Sequence, residues 1–313
     1  MGTPSPRQQG KAHDEGTPGA RSLVRRALYN RSELRLGWRL GLFVGLVAAL
    51  SEARLLLVRR LLGGADRAAT YLVGGVLEVL ILILCSWILG RIEGRTLAEF
   101  GLPWRKMFRA RFWQGALLGS ASIACLVALL RLGGAFRFGA PALRGPQIAM
   151  WAMAYAGVFL LVAVLEEFGT RGYVLFALSQ GIGFWPAAGL STALFVYLHR
   201  ANSGENAFGL VNLGLFGILA CLLLRRTGDL WMPIGLHLAF DWCETFVLGV
   251  ANSGERYPGH LLESSPSGPE WLSGGPAGPE GSVIYTLLLL LTLGFFALWL
   301  PEPRYPPATG PAP

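Results

Sequence analysis

The sequence predicts an all-α fold, a polytopic membrane bundle of about eight transmembrane helices. Three observations carry that expectation. Only 15% of the 313 residues are charged and 53% are hydrophobic, whereas soluble domains carry roughly 25% charged residues. Apolar runs recur along the chain, most of them near the ~20 residues that a helix needs to cross a bilayer. The formal net charge of +8 is nearly all arginine, and the arginines gather at the ends of those runs, where positive-inside topology signals belong. That placement speaks for a lipid bilayer as partner and against nucleic acid.

The elements follow in order. Residues 1–36 are polar, with a basic end at Arg21, Arg25, Arg26, Arg31 and Arg35, and read as a disordered tail. The first apolar run starts too late for a cleavable signal peptide. The helical domain covers 37–300. Its first run, about Gly37 to Val58, is interrupted near its end by Glu52 and Arg54. The second, Tyr71 to Gly90, carries Glu78. Arg95, Arg105, Lys106 and Arg109 make 91–111 strongly basic. The third run is Phe112 to Leu130, followed by a Gly/Arg/Pro loop to Pro146. The fourth, Ile148 to Leu178, is over-long for one span and is either one tilted helix or two joined near Gly169 and Gly172.

The fifth run spans Phe184 to His199. A polar patch, 200–206, separates it from the sixth, Ala207 to Leu224, which Arg225 and Arg226 close. The seventh runs from Leu230 to Val250. Residues 251–282 are rich in Gly, Pro and Ser and read as a flexible aqueous loop. The eighth is Val283 to Leu300, and the Pro-rich 301–313 reads as a disordered tail. With both termini cytoplasmic, in a multi-pass protein of the cell membrane, the basic segments all fall on one side. No transporter-like internal repeat is visible. Cys85, Cys125, Cys221 and Cys243 lie within apolar runs without metal or disulfide spacing, and read as small hydrophobes.

The fourth run places Glu166, Glu167 and Arg171 at membrane depth, where each charge costs roughly 2.5–3.5 kcal/mol on insertion scales. Glu167 and Arg171 are four apart on one helical face, the acid N-terminal, which favours an ion pair. Glu166 points about 100° away. One glutamate is thus neutralised while the other is left for the bundle interior, where an unpaired carboxylate suits a general base. The same charges also fit a structural ion-pair cluster tying helices together.

Of four histidines, His13 lies in the tail and His260 in the loop. His199 and His237 lie in apolar helices. Phe195 and His199 are one turn apart, so the ring can fix the imidazole; His237 and Asp241 share a face in the same way. Each pattern is weak alone. Together, on separate helices, they point to one polar pocket.

The order Glu166-Glu167-x-x-x-Arg171, Phe195-x-x-x-His199, His237-x-x-x-Asp241 resembles the CAAX protease and bacteriocin-processing (CPBP, or Abi) family of intramembrane proteases. Leu97-Ala98-Glu99-Phe100-Gly101-Leu102 is similar to that family's cytoplasmic loop, and the likeness runs from about Arg91 to Val250, the motif-bearing core. Two positions depart from the commonest pattern: Thr170 stands where a hydrophobic residue is frequent, and Asp241 where Asn is. The resemblance implies an endopeptidase acting on a peptide or protein substrate, membrane-associated ones included. Glu166 and His199 would activate a water, and His237 and Asp241 would stabilise the oxyanion or help bind. An ionised Asp241 would repel an oxyanion, so it must be protonated, orient His237 or bind a metal.

Family members are commonly described as metalloproteases. Glu166, His199 and His237 would make a two-His, one-carboxylate site with an open position, as catalytic zinc requires. There is no HExxH pair, and the same residues work without metal as a glutamate/histidine system. Depth is a difficulty: His199 lies ~22 Å along the fifth run and His237 only ~10 Å into the seventh. Two other classes stay open on the same residues, a proton-coupled transporter and a catalytically silent scaffold or immunity protein.

Overall fold

A computed structural model of the chain describes residues 29–30, 33–63, 67–202, 204–300 and 302–306. Most of the tail expected over 1–36, and residues 301 and 307–313 of the C-terminal one, lie outside those residues. The fold is a helical bundle with four two-residue strands as its only ladder pairing among them. All eight apolar runs fold as helix. In order these are α1 (Leu36–Leu62), α2 (Arg67–Glu93), α3 (Ala110–Leu132), α4 (Pro146–Arg171), α5 (Tyr173–Ile182), α6 (Phe184–His199), α7 (Ala207–Thr227) and α8 (Trp231–Trp242). A π-helical turn, Cys243–Leu248, continues α8; a short α9 (Glu270–Ser273) and α10 (Val283–Trp299) follow.

Among the described residues five helices are long and apolar enough to cross a membrane, with α4 and α5 taken together as one 37-residue stretch. Their outer faces carry large apolar side chains in the open, such as Leu56, Leu80 and Leu117. Such surface is costly in water and at no cost in lipid. Helices α6, α8 and α10, which the sequence counts as spans, are shorter, at 16, 12 and 17 residues.

The over-long fourth run is two helices. Gly172 breaks the α4–α5 junction with φ −80° and ψ −118°, and a Cβ there would meet the Phe168 carbonyl oxygen at 2.4 Å. Gly183, at φ 84°, then turns α5 into α6. Glu166 and His199 lie at almost equal chain distance on either side of that turn, which brings them to similar height. Asn206 caps α7 by accepting from Gly209 N at 3.0 Å.

Helix α8 packs on α3 along a seam of glycines. A Cβ on Gly115 would lie 2.0 Å from Met232 O, one on Gly119 2.2 Å from Leu236 O, and one on Gly235 2.1 Å from Phe112 O. The Gly115-x-x-x-Gly119 spacing thus lets two backbones touch, as small residues do between membrane helices. Elsewhere buried polar pairs tie helices together. Arg39 on α1 pairs with Glu93 on α2 at 2.8 Å, and Tyr173 of α5 donates to the same carboxylate. Glu78, the acid of the second run, takes Arg54 Nε and Ser51 Oγ, each at 2.7 Å.

The basic segments share one end of the bundle. Leu230 N donates to Gly101 O at 2.8 Å, Lys106 pairs with Asp229 at 3.2 Å, and Arg304 N donates to Arg225 O at 2.7 Å. Residues 302–306 are docked there, with Tyr305 buried. At the opposite end the connection 251–282, which composition reads as a loose loop, packs on the bundle. Phe136–Arg137 pairs with Ser265–Pro266, and Leu261 N donates to Phe246 O at 2.6 Å. We refer to this connection as the strap.

Candidate active site

Helix α4 carries Glu166, Glu167 and Arg171 into the bundle interior at different angles. Glu167 and Arg171 are fully buried and paired, Arg171 Nη1 donating to Glu167 Oε2 at 2.8 Å. The guanidinium also lies 4.7 Å over the Phe195 ring. Thr170, between them, is polar for a local reason. Its hydroxyl donates to Glu166 O at 2.6 Å and accepts from Arg171 at 3.2 Å. Ser191 of α6 donates to Thr170 O at 2.9 Å, fixing α6 against α4.

Glu166 differs from its neighbour in exposure: 26% of its side chain is accessible, against none of Glu167. It faces a space that solvent or a ligand reaches. His199, the last residue of α6, presents Nε2 to Glu166 Oε2 at 3.4 Å. Its Nδ1 is 2.9 Å from Phe195 O, four residues back. A carbonyl only accepts, so Nδ1 carries the hydrogen and Nε2 is left to face Glu166. The Phe195 ring lies 4.4 Å from the imidazole and holds its orientation.

His237 completes the group from α8. Its Nδ1 is 3.0 Å from Glu167 Oε1. Its Nε2 is 3.7 Å from Glu166 Oε2 and 3.4 Å from Asp241 Oδ2. Phe216 of α7 stands edge-on to it at 5.2 Å. The structure therefore brings Glu166, Glu167, Arg171, His199, His237 and Asp241 into one connected cluster.

The apparent depth mismatch between the two histidines dissolves for a physical reason. Leu230 and Trp231, where α8 begins, are buried, and Trp231 Nε1 donates to Pro103 O at 3.0 Å. The start of α8 lies under the 94–109 loop instead of at a water boundary, so it is the wrong origin for counting depth.

Several residues at or beside the cluster carry no motif signal. Phe216 and Ser191 are single residues in apolar runs. Asn212, on α7, donates to Glu280 O and Ser282 O at 2.7 and 2.9 Å and so anchors the strap. Glu244 is buried and Glu280 half-buried, and the two carboxyls lie close enough to influence each other. Neither could be paired from sequence, because nothing local links a helix residue to a loop residue 36 positions on.

The donor set bears on the metal question. Both imidazoles hold their hydrogen on Nδ1 and could offer Nε2, a common arrangement at metal centres. Yet among the described residues no three His, Cys, Asp or Glu side chains are arranged so as to hold one ion. Glu166 Oε2 stands 3.4 Å from His199 Nε2 and 3.7 Å from His237 Nε2, and the chemistry below uses these groups without a metal.

Residues 146–243 match the family model described as type II CAAX prenyl endopeptidase Rce1-like. No curated protein and no solved structure matches the chain. The matched segment holds all six residues of the polar cluster. Residues 146–243, about a third of the chain, are thus similar to the CAAX protease family that its three motifs resemble.

Proposed function

We propose that the protein is an intramembrane endopeptidase of the glutamate type, in which Glu166 and His199 activate a water against a peptide bond. The observation that carries this is the asymmetry of the two glutamates. Glu167 is spent on Arg171 and His237. Glu166 is accessible and 3.4 Å from a histidine whose other nitrogen is occupied.

In the first step a water bound between Glu166 and His199 gives a proton to the Glu166 carboxylate. Its oxygen bonds the carbonyl carbon, and the carbonyl π pair moves onto oxygen. His237, held at Nδ1 by Glu167, offers a second proton at Nε2 to that oxygen when it is doubly protonated. Asp241 beside Nε2 favours this state by charge. On collapse the C–N bond breaks and the proton held by Glu166 passes to the leaving amine. Preorganised donors of this sort stabilise such an oxyanion without reorganising as charge develops.

Substrates of this reading are prenylated peptides ending in Cys-aliphatic-aliphatic-X or other membrane-associated peptides. The family description and a site among apolar helices support that class. The shared basic end supports placing both termini on the cytoplasmic side of the cell membrane.

The test uses purified protein in lipid nanodiscs and a prenylated CAAX peptide. Glu166→Gln, similar in size, should abolish cleavage while the melting temperature holds. Cleavage at the wild-type rate by that variant removes the peptidase reading.

A further inference from the structure

At the basic end of the bundle the chain from Pro103 to Trp113 runs straight into α3, one of the helices long and apolar enough to span. Its sequence interleaves two kinds of side chain. Arg105, Lys106, Arg109 and Arg111 are basic, and no acid lies between Pro103 and Trp113. Trp104, Met107, Phe108 and Trp113 are large and apolar, and each is between 38% and 62% exposed. Arg105, Lys106 and Arg109 are exposed beside them.

Local contacts hold this mixture outward. Phe108 takes φ 54°, the left-handed region, which a bulky residue keeps only where its surroundings impose it. Here Trp113 Nε1 donates to Phe108 O at 2.9 Å, and the Phe108 ring stands edge-on to the buried Phe112 ring at 4.9 Å. Most of the positive charge is not spent inside the protein. Lys106 meets Asp229 at 3.2 Å, and Arg111 reaches the Gln114 amide oxygen at 3.1 Å. Among the described residues Arg105 and Arg109 have no acidic partner. The inner side of the segment is fixed to the start of α8. Trp231 Nε1 donates to Pro103 O at 3.0 Å, and the Trp104 and Trp231 rings lie 6.4 Å apart. Asp229, whose Oδ2 takes Lys106, accepts from Trp231 N at Oδ1 at 3.2 Å.

We propose that residues 104–113 form a docking surface for the headgroups of anionic phospholipids in the leaflet at this end. Arg105 and Arg109 take the phosphate groups, and Trp104, Phe108 and Trp113 lie among the first carbons of the acyl chains. Charge complementarity and position select this occupant. Aromatic rings settle at the headgroup level of a bilayer, and a polybasic segment flanking a span draws anionic lipid by charge. An oligonucleotide would meet the same charge and leave the exposed rings in water. The assignment uses no catalytic step, so it stands or falls apart from the peptidase reading. Its consequence inside the bundle is mechanical. A headgroup that fixes this segment also braces, through Asp229 and Trp231, the start of the helix that carries His237.

The experiment titrates the full-length protein, in a neutral detergent, with phosphatidylglycerol and separately with phosphatidylcholine. It reads the melting temperature and amide hydrogen exchange at 103–113 and 229–234. In the wild type phosphatidylglycerol should raise the first and slow the second in both segments, and phosphatidylcholine should do neither. An arginine near an anionic surface contributes about fivefold in binding, so Arg105→Gln/Arg109→Gln should need about 25-fold more phosphatidylglycerol for half the effect. Arg105→Lys/Arg109→Lys keeps the charge and should titrate close to the wild type. Arg131→Gln/Arg137→Gln removes equal charge at the other end of α3 and should also titrate as the wild type. The assignment fails if phosphatidylcholine works as well, or if the Arg105/Arg109 glutamine pair titrates as the wild type. It fails if the Arg131/Arg137 pair loses as much, which makes the effect one of net charge, or if the lysine pair does, which makes it one of packing. Inorganic phosphate or a soluble oligonucleotide acting as strongly as the lipid overturns the choice of a membrane partner.

Discussion

Glu167 on α4 and His237 on α8 are bonded to each other at 3.0 Å, although 70 residues separate them in the chain. With Arg171 at 2.8 Å on the other carboxylate oxygen, they form a buried line of cation, anion and imidazole. Glu167 therefore sets which His237 nitrogen faces Glu166. Removing one member should hurt stability and chemistry separately. Glu167→Ala or Arg171→Met leaves a buried charge without its counter-ion, at a cost of about 3–5 kcal/mol. The double variant, which removes both charges, should regain much of that stability. Its kcat should stay low, because His237 Nδ1 has lost its acceptor. Thermal unfolding and kcat measured on the double-mutant cycle read the two effects apart, and recovery of kcat along with stability would assign Glu167 a structural role only.

The glycine seam between α3 and α8 sets how close His237 comes to α4. A methyl group on Gly119 would lie 2.2 Å from Leu236 O, and one on Gly235 2.1 Å from Phe112 O. Neither contact is possible, so the helices must part. Overpacking typically costs about 1–3 kcal/mol, and backbone on backbone leaves little room to relax. Gly119→Ala and Gly235→Ala should each lower the melting temperature and reduce kcat, since His237 moves with α8. Gly157→Ala, where a Cβ meets nothing within 4 Å, is the control and should leave both unchanged.

The three motifs were legible because helical spacing alone decides which side chains share a face. Glu167 with Arg171, Phe195 with His199 and His237 with Asp241 are each four apart, and each pair is in contact. The all-α bundle was legible from the apolar runs for a similar reason. What lay hidden depends on contacts between segments remote in sequence. The start of α8 is under the 94–109 loop because Trp231 bonds Pro103 O, a fact no periodicity encodes. The strap reads as loose from its Gly, Pro and Ser content, yet Asn212, one amide in an apolar helix, anchors it. Thr170 looked like a departure from a pattern; its hydroxyl bonds to Glu166 O and Arg171 are what a hydrophobic residue there would lack.

Metal removal separates the two ways of activating water. The glutamate reading expects protein dialysed against EDTA to keep its kcat on the prenylated peptide, and added zinc to change it little. A water-activating zinc instead lowers the pKa of its water to about 7, and its loss would remove activity until zinc returned. Loss on dialysis with recovery by zinc would replace the glutamate mechanism while leaving the peptidase reading in place.

The strap should respond to pH through Glu280. This carboxyl lies outside the spanning helices, and burial pushes it up to about 7, against about 4.3 for a glutamate in an open chain. Glu244 and Asp241 face it with further carboxyls, and Ser253 N–H faces it with a donor. A raised pKa means that the docked strap holds a proton that an undocked one releases. The stabilisation is complete below about pH 4.3 and is lost as pH rises through about 7. For one proton the docking constant falls by at most tenfold per pH unit in that window. Amide hydrogen exchange at 251–257 should speed up accordingly between about pH 4.3 and about 7 and level off above, after correction for intrinsic rates. Glu280→Gln, which keeps an acceptor for Ser253 N–H and carries no charge, should flatten the dependence. An equally steep profile in that variant would move the proton to Glu244 or Asp241, and a flat profile in the wild type would mean that the strap is docked independently of this carboxyl.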